Sequence, residues 1–280
     1  MPKALLTTND VAELLGVGTT SVKRWADSGA LPCVKTPGGH RRFERVVVEA
    51  LREHGLPVED SGPVEAASWV DRWLHVLVHQ TGPLDAYRLL VGERQLHDDW
   101  WQTCDRVGEV LVALGERWVT GDLTLVEEHI ASERLARGLA RCAEAFSVMA
   151  GAPVALLMTA EGDEHVLGLH MVELGLRELG WTVRWVGRAV PIRHALEYLG
   201  HERIDCVIVS ASSYSTDATL MADQVERIGT AATAAGAAVI FGGAGAWPAA
   251  PEVGTRVHRL TEARDAVRAL GRRVDLAVTG

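Results

Sequence analysis

Three patterns of apolar spacing succeed one another along the chain. In the first, "TTNDVAELLG" sets a Thr/Asn/Asp cap ahead of Val11, Leu14 and Leu15. "VGTTSVKRWADSG" then turns Val22 and Trp25 inward, while Thr20, Lys23 and Arg24 face outward. Helix, glycine-containing turn and second helix make a helix-turn-helix signature. "EHGLPVEDSGPVEAAS" follows, a Pro/Gly/acid stretch that reads as a linker. The second pattern repeats apolar residues at three and four through "WVDRWLHVLVHQ", "PLDAYRLLVGERQ" and a long run from His97 to Phe146. This period predicts four or so helices in a bundle, broken near "WVTGDLTL". The third pattern alternates. "PVALLMTA", "TVRWVG", "IDCVIVSAS" and "AAVIFGGAG" read as strands, each followed by a stretch with helical spacing, the last being "TEARDAVRALGRRVD". Such alternation predicts a parallel, doubly wound sheet. The expected chain is therefore multidomain: an all-α winged helix-turn-helix head over 1–56, a helical bundle over 66–150 and an α/β domain over 151–280.

Composition agrees with that division. The 280 residues suffice for two or three domains, and 48% are hydrophobic. The apolar runs are too short to span a bilayer, and "MPKALLTTNDVAELLG" lacks the features of a signal peptide. Cys33, Cys104, Cys142 and Cys206 lie far apart with no C-x-x-C pair, as expected of buried thiols in a cytoplasmic protein with no membrane partner. The net charge of −9 is uneven: residues 1–54 carry +2 and the remainder −11. An acidic body with a basic head suits a protein that meets DNA at one end. In the head, "TPGGHRRF" places His40, Arg41 and Arg42 beside a Pro-Gly-Gly turn, a hairpin tip suited to a phosphate backbone. His75 and His79 stand four apart, but with no HExxH and no acid at ligand spacing they read as a plain helical face.

In a doubly wound sheet ligands bind beyond the carboxyl ends of the strands. Three groups of residues fall there: Asp163, His165 and Gly168 after the first strand, Ser210 and Ser212 after the third, Gly242 and Gly243 after the fourth. Gly168 and Ser210 have 41 residues between them, and Ser212 and Gly242 have 29.

The first fifty or so residues, with "TPGGHRRF", resemble the DNA-binding head of the MerR family. That resemblance implies a double-stranded DNA operator as partner. Arg41 and Arg42, with His40, would lie on phosphate, and Lys23 and Arg24, with Thr20, would approach base edges or backbone. The chain departs from many MerR proteins in lacking two further helices, one of which dimerises, so self-association must arise elsewhere. The D-x-H-x-x-G, serine and Gly-Gly series resembles the cobalamin-binding domain of methionine synthase and the corrinoid mutases. By that likeness His165 is the lower cobalt ligand once the cofactor's dimethylbenzimidazole has swung away, and Asp163 accepts the imidazole's other N–H. Gly168 lets the loop pass close to the corrin, while Ser210, Ser212, Gly242 and Gly243 form a slot for the nucleotide tail. Ser212 stands where the family has Leu, and His170, five residues beyond His165, is not a co-ligand. Finally Trp118, nine intervening residues and Glu128-His129 resemble the W-x9-E-H motif of the CarH/LitR light-responsive regulators, which join the same three domains in this order. This likeness implies adenosylcobalamin (or another cobalamin) capped by Trp118, with Glu128 on the adenosyl ribose. It implies a non-enzymatic repressor whose dimer or tetramer holds DNA in the dark and falls apart in light. Nine tryptophans against three each of Tyr and Phe fit an indole cap. Val119 follows Trp118 where light-responsive members can carry a histidine, which leaves the upper cobalt position after photolysis to water or to His129. Two alternatives stay open: a corrinoid methyl-carrier protein of a methyltransferase system, and a cobalamin sensor indifferent to light. A corrinoid mutase is excluded, because no segment could form the substrate barrel.

Overall fold

The computed structural model describes residues 5–27, 31, 33–36, 40–45, 48–49, 68–80, 82 and 84–278, with side chains to residue 270 except those of Arg24, Asp27 and Lys35. The expected linker and the Pro-Gly-Gly turn lie outside the described residues. The chain divides into two compact units, 1–66 and 67–280.

In the first unit α1 (Thr8–Leu15) begins at Thr7, whose hydroxyl accepts the Asp10 N–H while the Asp10 carboxylate accepts that of Thr7. This reciprocal cap satisfies two otherwise orphaned donors. Gly16, at φ +67°, ends the helix in the left-handed region open to glycine. The second helix, α2 (Thr19–Asp27), buries Val22 and Trp25 against Val11, Leu15, Leu31 and Phe43. The head is not all-α, however. Strands β1 (Leu5–Leu6), β2 (Val34–Lys35) and β3 (Arg41–Glu44) form an antiparallel sheet in the order β1-β3-β2. Strands of two and four residues are too short to show a period, which is why the hydrophobic pattern does not reveal them.

The second unit opens with α3 (Trp69–His79), α4 (Asp85–Arg94), α5 (Trp100–Thr120) and α6 (Leu125–Glu144). Their apolar faces share one core around Trp73, Leu77, Leu90, Val107, Leu114, Leu135 and Leu139. Gly121, at φ +83°, stops α5, and Thr124 caps α6. Beyond them lie β4 (Val154–Thr159), α7 (Leu167–Glu178), β5 (Thr182–Gly187), α8 (Ile192–Leu199), β6 (Cys206–Ala211), α9 (Ala218–Ala234), β7 (Ala238–Gly243), β8 (Thr255–Arg256) and α10 (Leu260–Val278). The sheet is parallel with order β5-β4-β6-β7-β8. Alternate strand residues face opposite sides. Leu156, Met158, Val207 and Val209 pack on α8 and α9, whereas Ala155, Leu157 and Ile208 pack on α7 and α10. The short edge strand β8 is an element the sequence pattern did not announce.

The helices and the sheet domain are tightly joined. Trp101, on α5, is fully buried, and a Cβ at Gly175 of α7 would lie 2.3 Å from its ring. Asp105 on α5 accepts the backbone N–H groups of Leu260 and Thr261, so one domain caps the first turn of the other's helix. Glu178 accepts the Trp100 N–H, and Arg264 pairs with Asp99. Most of the tryptophans have structural duties. Trp25, Trp73, Trp100, Trp101, Trp181 and Trp247 are buried, and Trp69 and Trp185 donate to the buried carboxylates of Glu93 and Glu173. Tryptophan abundance thus reflects the cores, and an indole cap is left to Trp118 alone. Cys104, Cys142 and Cys206 are buried, and desolvation pushes the thiols of Cys142 and Cys206 up to about 12, which leaves them inert.

Candidate functional site

Strand order places the topological switch between β4 and β6, where successive connections run to opposite sides. The two strand-end loops there are bound together by one side chain. Gly162, at φ +84°, turns the chain after β4 and brings the Asp163 carboxyl under the loop. Asp163 is buried. Its Oδ1 accepts the His165 backbone N–H at 2.9 Å and faces His165 Nδ1 at 3.0 Å. Its Oδ2 accepts the Ser212 N–H at 2.6 Å and the Ser215 hydroxyl at 2.7 Å. Burial pushes this carboxyl up, but the hydrogen bonds from His165, Ser215 and Ser212 outweigh it and hold the group below its usual value. A carboxylate acceptor assigns the proton of a neutral His165 to Nδ1 and leaves the Nε2 lone pair outward. The imidazole is 55% exposed. Asp163 holds His165 at two points, its backbone N–H and its ring.

The first acid of this loop serves a helix of the following strand–helix unit, for Glu161 accepts the Ile192 N–H at the start of α8. Glycines stand at the adjacent strand ends. A Cβ on Gly168 would come within 3.3 Å of the Ser210 hydroxyl, and Ser210 pairs in register with Gly242. Gly243 has φ +85°, and a Cβ there would stand 2.2 Å from the Ala211 carbonyl. Gly245 is equally constrained, since a Cβ would meet that of Ala211 at 2.5 Å. At Gly243 and Gly245 the backbone therefore passes too close to its neighbours to admit a side chain. An outward imidazole lone pair beside strand ends bare of large side chains fits a corrinoid that takes an imidazole ligand. Ser212 lies in the same loop, its backbone N–H donating to Asp163 and its hydroxyl accepting the Tyr214 N–H. His170 instead packs its ring against Trp185, 4.7 Å away, with burial lowering its pKa.

On the helical side, Trp118 and Val119 end α5, and Glu128 and His129 open α6 across the turn at Gly121. Trp118 is half-buried, Val119 exposed. Both oxygens of Glu128 are engaged, one with His129 Nδ1 at 2.7 Å and one with the Ser132 hydroxyl at 2.7 Å. Exposed Val119, Leu125 and Val126 stand at this turn, and exposed Val112 and Ile130 lie farther along the same two helices. His75 and His79 sit with ring centroids 5.1 Å apart, and among the described residues no group of three or more His, Cys, Asp or Glu could hold a metal ion.

In the head, Thr20 and Lys23 are exposed on α2, opposite Val22 and Trp25, and the Arg24 side chain lies outside the described residues. Arg41 and Arg42 are not at a hairpin tip. They belong to β3, opposite Lys35 and Val34 of β2, and alternation points them to opposite faces. His40 is exposed at the end of the turn, its carbonyl accepting the Thr36 N–H.

Sequence reading missed Ser215, Tyr214, Thr159 and Gly245. The Thr159 hydroxyl donates to the Asp163 carbonyl at 2.7 Å. No motif marks these residues; for Tyr214 and Ser215 a polar loop following a strand end, "SSYSTD", is the sole signal.

Comparison with known proteins finds two domain matches along the chain. A helix-turn-helix domain matches residues 5–55, and a B12 binding domain matches residues 153–271. A DNA-binding motif joined to a B12 domain defines the class: a cobalamin-dependent regulator, with cobalamin as the cofactor of its sheet domain. More narrowly, the chain resembles the CarH-type cobalamin-binding transcriptional regulators. It is 26% identical to the HTH-type transcriptional repressor CarH of Myxococcus xanthus, over 65% of this chain and 71% of that protein. It is 26% identical to the HTH-type transcriptional repressor CarA of the same organism, over 65% of this chain and 67% of the relative. The fold is also that of the monomethylamine corrinoid protein of Methanosarcina barkeri (TM-score 0.53, 15% identity), covering 70% of this chain and 95% of that one. No helix among the described residues is long and apolar enough to cross a membrane.

Proposed function

We propose that this protein is a cytoplasmic repressor whose DNA-bound oligomer is stabilised by adenosylcobalamin and dissociated by light. The observation that carries the reading is the Asp163–His165 pair at the sheet's switch point, tied at Nδ1 and open at Nε2. His165 is the lower cobalt ligand, and Asp163 fixes its tautomer and raises its basicity. Gly168, Ser210, Ser212, Gly242 and Gly243 line the slot for the nucleotide tail. Bound adenosylcobalamin supplies a light-labile Co–C bond, and that chemistry belongs to the cofactor. Trp118 caps the upper face with Glu128 and His129 beside it. The exposed Val119, Leu125 and Val126 at the turn support this, since bare apolar side chains brought together call for a cover. Val119 cannot ligate a metal, so His129 is the one imidazole of the motif available above. In the head, whichever of Arg41 and Arg42 lies on the DNA face of β3 holds phosphate, with His40 beside it, and Thr20, Lys23 and Arg24 face the groove. The coupling is linkage: a cofactor bound best by the oligomer shifts the population towards it.

A second reading, a corrinoid methyl carrier, is favoured by the fold shared with the monomethylamine corrinoid protein. It leaves residues 1–54 without a role. The deciding experiment is an absorption spectrum and a sizing run with adenosylcobalamin, in darkness and after green light, on wild type, His165→Ala and His129→Ala. The proposal expects a dark oligomer that dissociates on illumination and a His165→Ala spectrum lacking the histidine-ligated form. An unchanged His165→Ala spectrum removes the assigned ligand. Photolysis without a change in size makes the protein a sensor of cobalamin and not of light.

A further inference from the structure

Tyr214 follows β6, outside every motif named above. Its ring stacks on the imidazole of His165, with centroids 5.1 Å apart and planes only 9° from parallel. Tyr214 is 60% exposed and the imidazole 55%, so the pair does not form to fill a core. The two loops that carry the rings share an anchor. Ser212 and Ser215, on either side of Tyr214, both donate to Asp163 Oδ2, while Oδ1 of the same carboxylate faces the imidazole. The Tyr214 N–H also donates to the Ser212 hydroxyl at 3.3 Å, and its carbonyl accepts the Thr216 N–H at 3.0 Å.

A hydrogen bond at Nδ1 fixes one point of the ring and leaves it able to tilt about the Nδ1···Oδ1 line. A parallel aromatic face removes that tilt. Because the Nε2 lone pair lies in the plane of the imidazole, a group stacked on the face constrains the ring without competing for the metal. We propose that Tyr214 is a positioning residue for the cobalt ligand, setting the plane of His165 while Asp163 sets its tautomer. The inference rests on the reading of His165 as lower axial ligand. Aromatic pairs of this kind contribute enough to change an equilibrium about two- to tenfold. Loss of the stack should therefore lower the ratio of histidine-ligated to histidine-free cobalt by about that factor.

The test uses the full chain labelled with 15N-histidine and loaded with cob(II)alamin, as wild type, Tyr214→Phe and Tyr214→Ala. In electron paramagnetic resonance a 15N ligand splits cobalt lines into doublets, whereas the cofactor's own 14N base gives triplets. Wild type and Tyr214→Phe should show doublets. Tyr214→Ala should lose a measurable share of them at unchanged thermal stability of the cofactor-free protein. Full doublets in Tyr214→Ala overturn the positioning role and leave His165 as ligand. Wild type without doublets overturns the ligand assignment itself. Should Tyr214→Ala not fold, the cofactor-free wild type still decides: the His165 Hε1 resonance should carry a ring-current shift that disappears in Tyr214→Leu, and its absence in the wild type refutes the stack.

Discussion

At the scale of single residues, Asp163 ties the site together. It is a buried carboxylate with donors from two loops, and hydrogen bonds to a charged group contribute about 1.5–3 kcal/mol each. Asp163→Asn keeps the shape but turns an NH2 group towards donors, so cobalamin affinity should fall about 10–100-fold, as a binding titration would measure. The same carboxyl sets an acid limit. Its native pKa lies below the ordinary value of 3.8. Its contribution to stability is therefore complete above that ordinary value and is lost as pH falls through the lower native one. Urea unfolding midpoints at pH 5 and pH 3 should differ more for wild type than for Asp163→Asn; equal differences would remove Asp163 as a source of acid lability. Asp163, His165, Gly168, Ser210 and the Gly-Gly pair were legible in the sequence because each sits next to a strand end, at a fixed offset from a recognisable apolar run. Tyr214 and Ser215 were not, because their importance comes from contact across 49 residues or more of chain and not from spacing.

At the scale of elements, long helices and buried strands were readable from their periods, while the two-residue strands β1, β2 and β8 were not. The hairpin of the head illustrates the cost. Read as a loop tip, "HRRF" puts all its basic groups on one surface, but in a strand Arg41 and Arg42 diverge. One of them should matter more than the other on DNA. Arg42→Ala, if Arg42 is on the DNA side, should reduce the slope of log K against log salt by about 0.9; equal slopes for wild type, Arg41→Ala and Arg42→Ala would take phosphate contact away from β3. A second element-level consequence concerns α7. Gly175 exists because the Trp101 indole occupies the space where a side chain would go. Gly175→Ala should destabilise the body by about 1–3 kcal/mol, seen as a lower urea midpoint, and an unchanged midpoint would mean that α5 and α7 separate easily.

At the scale of the whole molecule, the visible seam lies at residue 66, not at the change from helices to sheet. Helical and sheet segments share the Trp101 packing, the Asp105 cap on α10, and the Glu178 and Asp99 contacts. Residues 67–280 should therefore unfold in one transition; two resolved transitions, matching 69–144 and 154–278, would contradict it. The joint between helices and sheet has a meaning for inheritance as well as for stability. A gene break at residue 151 would strand the Trp101 indole without its seat and α10 without its cap. A break at residue 67 would leave both of those contacts whole. The natural unit of exchange is then the whole body, which recombination or an engineer could place behind a different DNA-reading head while keeping its cofactor loops intact.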